Sequence, residues 1–270
     1  MLQKIIWRDH RRRSEQVDGD RRVLPTAYFG YNQVPLRDKA ELVRRHFDSV
    51  APQYDLMNTL LSFGIHHHWK REAVRMLALK AGDHVLDVCG GTGDLAILAA
   101  RGVGGGGRIV VYDINRAMIE AGLHKLTDSP LQGRIRHVQG DAEQLSFPDR
   151  HFDAAMVGFG IRNVSDMAQG FTEMYRVLKP AGKLMCLEFS KPTLPLFRWV
   201  YDLYSFYAMP VLGQLVAGNR KAYTHLPESI RTFPPPDKLA AMLRQIGFGR
   251  ITYRRLTNGI ATIHLAEKPG

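Results

Sequence analysis

The chain has 270 residues, 45% of them apolar and 23% charged, with a formal charge of +11 and two cysteines, Cys89 and Cys186. That length builds one large domain or two small ones around a buried core, and the composition excludes a disordered chain or a disulfide framework. No apolar stretch approaches the roughly 20 residues that cross a bilayer, and MLQKIIWRDHRRR has its charges on the wrong side of too short an apolar run for a signal peptide, so a cytoplasmic protein is expected.

Residues 1–36 are expected to form a basic, mobile tail, with seven Lys/Arg against four acids in the first 22 positions. A helical cap is expected over 37–80. In RDKAELVRRHFDSV, Leu42, Val43, Phe47 and Val50 share one helical stripe, which Pro52 ends. YDLMNTLLSFGI follows with a break at Gly64. A second helix over about 66–79 carries Trp69, Ala73, Val74 and Leu77, and Lys80-Ala81-Gly82 closes it.

From 81 to 190 strands and helices alternate. HVLDV, RIVVYD, IRHVQGDA, FDAAMVGFG and, after a Pro-Gly turn, KPAGKLMCLEF read as strands. Helices are expected over 93–101, in NRAMIEAGLHKL and in DMAQGFTEMYRVL. Such alternation means βαβ units and a mostly parallel sheet. Residues 191–236 break the pattern with aromatics, prolines and basic residues, an insert too long to be an idle connection. Residues 237–270 supply a last helix, DKLAAMLRQIGF, and two strands joined by a Thr-Asn-Gly turn, in which Asn258-Gly259 is a strong hairpin signal.

The chemistry points to the turn VLDVCGGTGD, residues 85–94. Gly91-x-Gly93-x-x-Ala96, with Asp113 about twenty residues on, fits a fingerprint that a nicotinamide cofactor and S-adenosylmethionine (SAM) satisfy alike. Charge separates the two. Asp87, Asp113 and Asp141 end three strands at the ligand edge of the sheet. Asp94 adds a fourth carboxylate at a helix N-terminus that a pyrophosphate would need for itself. A sulfonium and an ammonium suit an acidic mouth, so SAM is the expected cofactor. Gly90, Gly91 and Gly93 let the backbone pass close under it. Asp113 is placed for both ribose hydroxyls, Asp141 and Ala142 for the adenine, and Thr92 for the methionine end. Ile114 and Met118 count among the same contacts.

HFDSVAPQYDLMNTLLSFGIHHHWK, VLDVCGGTGDLA, FGIRNVSD, EMYRVLKPAGKLMCLEFSKP, YDLYSFYAMPVLGQLVA and ESIRTFP resemble the UbiE/MenG-type ubiquinone/menaquinone biosynthesis C-methyltransferases, in one register from about Tyr28 onward. FGIRNVSD and LEFSKP are far more specific to that family than the glycine turn. The resemblance implies an α/β class I methyltransferase, Rossmann-like: a seven-stranded, mostly parallel sheet ending in a β-hairpin. The N-terminal helices and the helical insert before the hairpin would form a lid. It also implies methyl transfer from SAM to a ring carbon of a polyprenyl quinol, demethylmenaquinol or 2-methoxy-6-polyprenyl-1,4-benzoquinol. Thr92, Asp113, Asp141 and Ala142 match the family's cofactor contacts. Gly158 stands where many members have a serine beside the cofactor, which removes one side-chain hydrogen bond.

A benzenoid carbon is a weak nucleophile until a phenolic proton leaves, so such an enzyme needs in-line placement and help with deprotonation, but no metal. Arg162 in GIRN is expected to stabilise the phenolate, being too basic to act as the base. Asn163 and Tyr54 would fix the ring oxygens. Consecutive His66, His67 and His68 splay about 100° apart on a helix instead of converging on an ion; His66 is the candidate proton shuttle. Phe47, Tyr201 and Tyr204 are expected to bind substrate. Phe197, Trp199, Phe206, Tyr207, Leu42, Leu60 and Leu61 would join them in walling an apolar channel.

Arg198, Arg220 and Lys221 would give a peripheral, electrostatic contact with the inner face of the membrane, and a homodimer is a further expected association. Among rivals, a nucleic-acid methyltransferase would need an Asn/Asp-Pro-Pro-aromatic motif where GFGIRN stands, so nucleic acid is not an expected partner. A nicotinamide oxidoreductase is disfavoured by the four acids. A methyltransferase of another small aromatic compound stays open, and a non-catalytic SAM scaffold leaves GIRN without purpose.

Overall fold

The computed structural model describes residues 25–270; the basic segment 1–22 lies outside the described residues. Thr26–Phe29 (β1) and Asn32–Pro35 (β2) pair antiparallel, so the tail expected through residue 36 is folded from residue 26. Four-residue strands give little periodicity to read. They are held by tertiary contact, Phe29 stacking on His225 with ring centroids 4.1 Å apart.

Helix α1 (Leu36–Val50) buries Val43 and Val50, with Leu42 and Phe47 half-buried beside them. Pro52 falls in a 3₁₀ turn, Ala51–Gln53, before α2 (Tyr54–Leu61). Gly64, at φ 74°, starts α3 (Ile65–Leu77), which buries Trp69, Ala73 and Leu77. That helix stops before Lys80-Ala81-Gly82, because Ala78 turns left-handed at φ 50° and its N–H bonds back to Arg75.

The sheet follows the expected alternation: β3 (His84–Val88), β4 (Arg108–Asp113), β5 (Ile135–Gln139), β6 (Phe152–Gly158), β7 (Leu178–Phe189), β8 (Gly249–Leu256) and β9 (Ala261–Glu267), ordered β5-β4-β3-β6-β7-β9-β8. The first five are parallel and β9 runs antiparallel to both β7 and β8. Helices α4 (Asp94–Gly102), α5 (Arg116–Leu126), α6 (Met167–Val177) and α10 (Pro236–Ile246) complete the crossovers.

Successive strand residues feed opposite cores. Val85 joins Ala73, Leu77, Ala96 and Ala99 on one face, while Leu86 joins Phe171, Met174, Leu239 and Leu243 on the other. Chain direction across the sheet reverses at β3, between β4 and β6, so the glycine turn that follows β3 stands at the switch point.

Two local expectations change. The Pro-Gly turn is absorbed into β7 as an irregularity, Leu178 pairing with Phe152 and Lys183 with Ala154. The final hairpin closes from Leu256 to Ala261, so Ile260 joins the expected Thr-Asn-Gly turn, with Thr257, Asn258 and Gly259 all at positive φ.

The insert forms α7 (Pro195–Leu203), a π turn (Tyr204–Ala208), α8 (Met209–Ala217) and α9 (Arg220–Thr232). Met209, Ala222 and Tyr223 pack on Val50, Met57 and Leu61 in a third core that contains no sheet residue. Cap and insert thus hold each other as one roof. Gly213 of α8 lies against Tyr223 of α9, where an added Cβ would sit 2.2–2.7 Å from Tyr223 atoms. Gly213→Ala is therefore expected to destabilise the chain by about 1–3 kcal/mol despite alanine's better helix propensity. A thermal midpoint equal to the wild type's would contradict this packing.

Candidate active site

Two cavities lie between the sheet edge and the roof, a large one of about 740 Å³ and a narrow cleft of about 90 Å³. Phe47, Tyr54, Lys70, Phe159 and Asn163 line both and form their shared wall.

Asp87, Gly90, Gly91, Thr92, Asp113, Ile114, Met118, Asp141, Ala142 and Gly158 all line the narrow cleft. Gly93 does not; at φ 78° it caps the N-terminus of α4. Asp113 accepts hydrogen bonds from the Gly91 and Asn115 amides, each 2.8 Å long, and burial pushes its carboxyl up to about 6. Asp141 is exposed and accepts from the Glu143 amide. Asp87 is fully buried. One of its oxygens accepts from Ala96 N at 3.1 Å, while Oδ1 has no partner. Burial raises this carboxyl to about 8.

The fourth acid departs from expectation. Asp94 is bound by two ammonium groups, Lys70 at 2.7 Å and Lys125 at 2.6 Å. Burial opposes its charge, but the two lysines outweigh burial and hold the carboxyl below its usual range. Lys125 also reaches Asp55 at 2.5 Å. The Thr92 hydroxyl donates to Asp55 and accepts from Lys125, so its proton is already committed to the cap. Lys70 and Lys125 are paired with Asp94 and Asp55, so the carboxyl groups left for a ligand in the cleft are those of Asp87, Asp113 and Asp141. At Gly158 an added Cβ would meet Leu95 Cδ1 at 2.5 Å, so leucine fills the space a serine would need.

The large cavity is walled by Phe47, Leu61, Phe197, Tyr201 and Tyr204 as expected. Trp199, Phe206, Tyr207, Leu42 and Leu60 lie outside it. Phe206 packs under Arg231, and Trp199 and Tyr207 face solvent. Tyr54 and Tyr201 are pushed up to about 12 by burial, so both are neutral phenols. The Asn163 Nδ2 is buried without a partner. Arg162 is held in a buried ion pair with Glu188 at 3.2 Å, donates to the Phe159 carbonyl and reaches Ser229 Oγ at 3.4 Å. Its guanidinium lies over the Phe189 ring.

His66 lines the cavity, is buried, and is lowered to about 4 by burial and by Lys70. Its ring lies 3.9 Å from that of His67, and Thr59 Oγ1 contacts both. These neighbours therefore converge on one hydroxyl instead of splaying.

Several residues escape sequence reasoning. Glu188 stands at the end of β7 within LEFSKP, where a strand-end acid was the available signal. Asp55 and Lys70 lie in the cap, with nothing local to tie them to the glycine turn. His46 and His225 face the cavity with ring centroids 4.8 Å apart, from helices distant in sequence.

A cleft floored by an unpartnered carboxylate oxygen, beside a glycine turn and a strand-end acid, fits a ligand with an ammonium and a ribose. The model of the ubiE/COQ5 methyltransferase family matches residues 36–268. The chain belongs to the ubiE/COQ5 methyltransferase family. The ubiquinone/menaquinone biosynthesis C-methyltransferase UbiE of Pseudomonas putida is 46% identical over 256 residues, which cover 95% of this chain and 100% of that protein. That of Pseudomonas entomophila is 46% identical over 91% of this chain and 96% of its own.

Among solved structures, the cyclase SpnF aligns with a TM-score of 0.64 at 18% identity, covering 85% of this chain and 96% of its own. A SAM-dependent methyltransferase from Aquifex aeolicus aligns at 0.51 and 17%, covering 73% and 88%. These two likenesses carry the class I fold. The family member described here uses SAM as its cofactor.

At pH 7 the Asp87 carboxyl is neutral in the free protein, and an ammonium beside it favours the charged form. SAM binding is therefore expected to release a proton and to tighten as pH rises from 6 towards 8. Calorimetry in buffers of differing ionisation enthalpy measures that release. Asp87→Asn should abolish it, and wild-type heats independent of buffer would exclude this role.

Proposed function

We propose that the methyl acceptor is a ring carbon of a polyprenyl quinol whose head group rests at the shared wall and whose tail runs along the large cavity. The chain is a SAM-dependent C-methyltransferase of ubiquinone/menaquinone biosynthesis, as its family and relatives indicate. The observation that carries the choice of acceptor is the apolar cavity of about 740 Å³ sharing five residues with the acidic cleft.

Bound SAM supplies an electrophilic methyl group, for which Asp87, Asp113, Asp141 and Ala142 form the holding set. The ring must be reduced, since a quinone is itself an electrophile. Asn163, with its unpartnered Nδ2, and the neutral Tyr54 phenol orient the ring oxygens. Arg162 stabilises the developing phenolate, and Glu188 fixes the guanidinium so that little reorganisation is needed. His66, kept neutral by burial, can carry the departing proton. This reading calls for a peripheral contact with the inner face of the membrane, because the tail of such a quinol lives in the bilayer.

Incubation with methyl-labelled SAM and each reduced head group is expected to place label on a ring carbon. Label on RNA or another small aromatic compound, with none on either quinol, would overturn the assignment. Arg162→Ala is expected to lower turnover about 10²-fold or more while leaving SAM affinity unchanged. It also strands Glu188 in the interior, so a stability loss of about 3–5 kcal/mol should accompany it. Unchanged turnover at saturating quinol would remove Arg162 from the mechanism.

A further inference from the structure

The outer face of the insert has the wrong composition for a surface meant to face water. Leu196, Trp199, Leu203, Tyr207 and Leu215, on α7, the π turn and α8, are between 49% and 76% exposed. Across from them Phe63, between α2 and α3, is 83% exposed. From Pro192 to Lys221 the sequence contains a single acid, Asp202. That acid is buried and paired with Arg231. The stretch shows solvent only apolar, neutral and cationic groups, with Arg220 and Lys221 exposed at its end.

This face is also the mouth of the large cavity. Phe63, Ile65, Phe197 and Val200 line the cavity and are open to solvent. No helix among the described residues is long and apolar enough to cross a membrane.

We propose that this face docks flat on an anionic bilayer, with Leu196, Trp199, Leu203, Leu215 and Phe63 entering the boundary between head groups and acyl chains. The quinol tail then passes from lipid into the cavity without crossing water. Withdrawal of Asp202 from the surface removes the negative charge that would repel anionic head groups, and Arg220 and Lys221 complement them. Trp199 and Tyr207 are the amphipathic aromatic type that settles at such an interface. The inference rests on the polyprenyl-quinol reading and deepens it: the contact is chiefly hydrophobic insertion at named side chains, with cations secondary. Each large apolar side chain fully buried in lipid contributes roughly tenfold in affinity.

The test uses phosphatidylcholine vesicles with and without phosphatidylglycerol, some carrying brominated acyl chains. The wild type is expected to float with the anionic vesicles, to keep most of its binding at high salt, and to show quenching that Trp199→Phe removes. The triple variant Leu196→Gln, Leu203→Gln, Leu215→Gln should bind at least tenfold more weakly. It should lose turnover of a vesicle-borne long-tail quinol yet keep turnover of a water-soluble short-tail quinol. Wild-type failure on the soluble quinol would instead indict the substrate assignment. The docking proposal falls if the triple variant binds vesicles like the wild type, or if salt alone abolishes binding. It also falls if the wild type ignores vesicles and the triple substitution converts a dimer to a monomer in sedimentation, which would make this face an interface between copies.

Discussion

One ammonium group ties the cap to the core at the narrow cleft. Lys125 of α5 lies 2.5 Å from Asp55 of α2 and 2.6 Å from Asp94 of α4, and Lys70 of α3 closes the cluster on Asp94. Tyr54 precedes Asp55 in sequence, so fixing Asp55 also fixes the aromatic ring that separates the two cavities. Drawing four charges partly out of water is costly unless each is paired. Here each carboxylate meets at least one lysine, and the Thr92 hydroxyl ties the cluster to the glycine turn.

The wall reconciles two incompatible solvents. A cationic cofactor is best held by carboxylates, and a polyprenyl chain by aliphatic and aromatic surface. Five residues line both spaces, none of them a carboxylate: Phe47, Tyr54 and Phe159 give the shared wall its aromatic surface, and Lys70 and Asn163 its polar groups. The Arg162–Glu188 pair belongs to the same economy of charge. It places a cation at an apolar cavity without leaving that cation uncompensated.

The sheet was legible because strands buried on both faces are continuous apolar runs and crossover helices carry a clear stripe, as in VLDV and in Phe171 and Met174; Leu178, expected on the same helix, instead opens β7. The glycine turn was legible because its spacing encodes local backbone geometry. The pairing of Asp94 was not. Its partners, Lys70 and Lys125, lie 24 and 31 positions away, and nothing at a helix N-terminus announces a distant lysine. The same reason hid Glu188, whose partner is fixed by register between β6 and β7, and the β1–β2 hairpin, whose stability comes from the Phe29–His225 stack. The aromatic insert was recognisable as a wall, but helix phase sends Tyr201 and Tyr204 inward and Trp199 and Tyr207 outward. A π turn shifts that phase part-way along.

Leu95 and the empty position at Gly158 share one volume across the cleft. A lineage acquiring serine at 158 would first have to shrink or rotate the side chain at 95, and one enlarging residue 95 would be confined to glycine at 158. The two sites are thus coupled by sterics, although they sit on different secondary-structure elements, 63 residues apart in the chain.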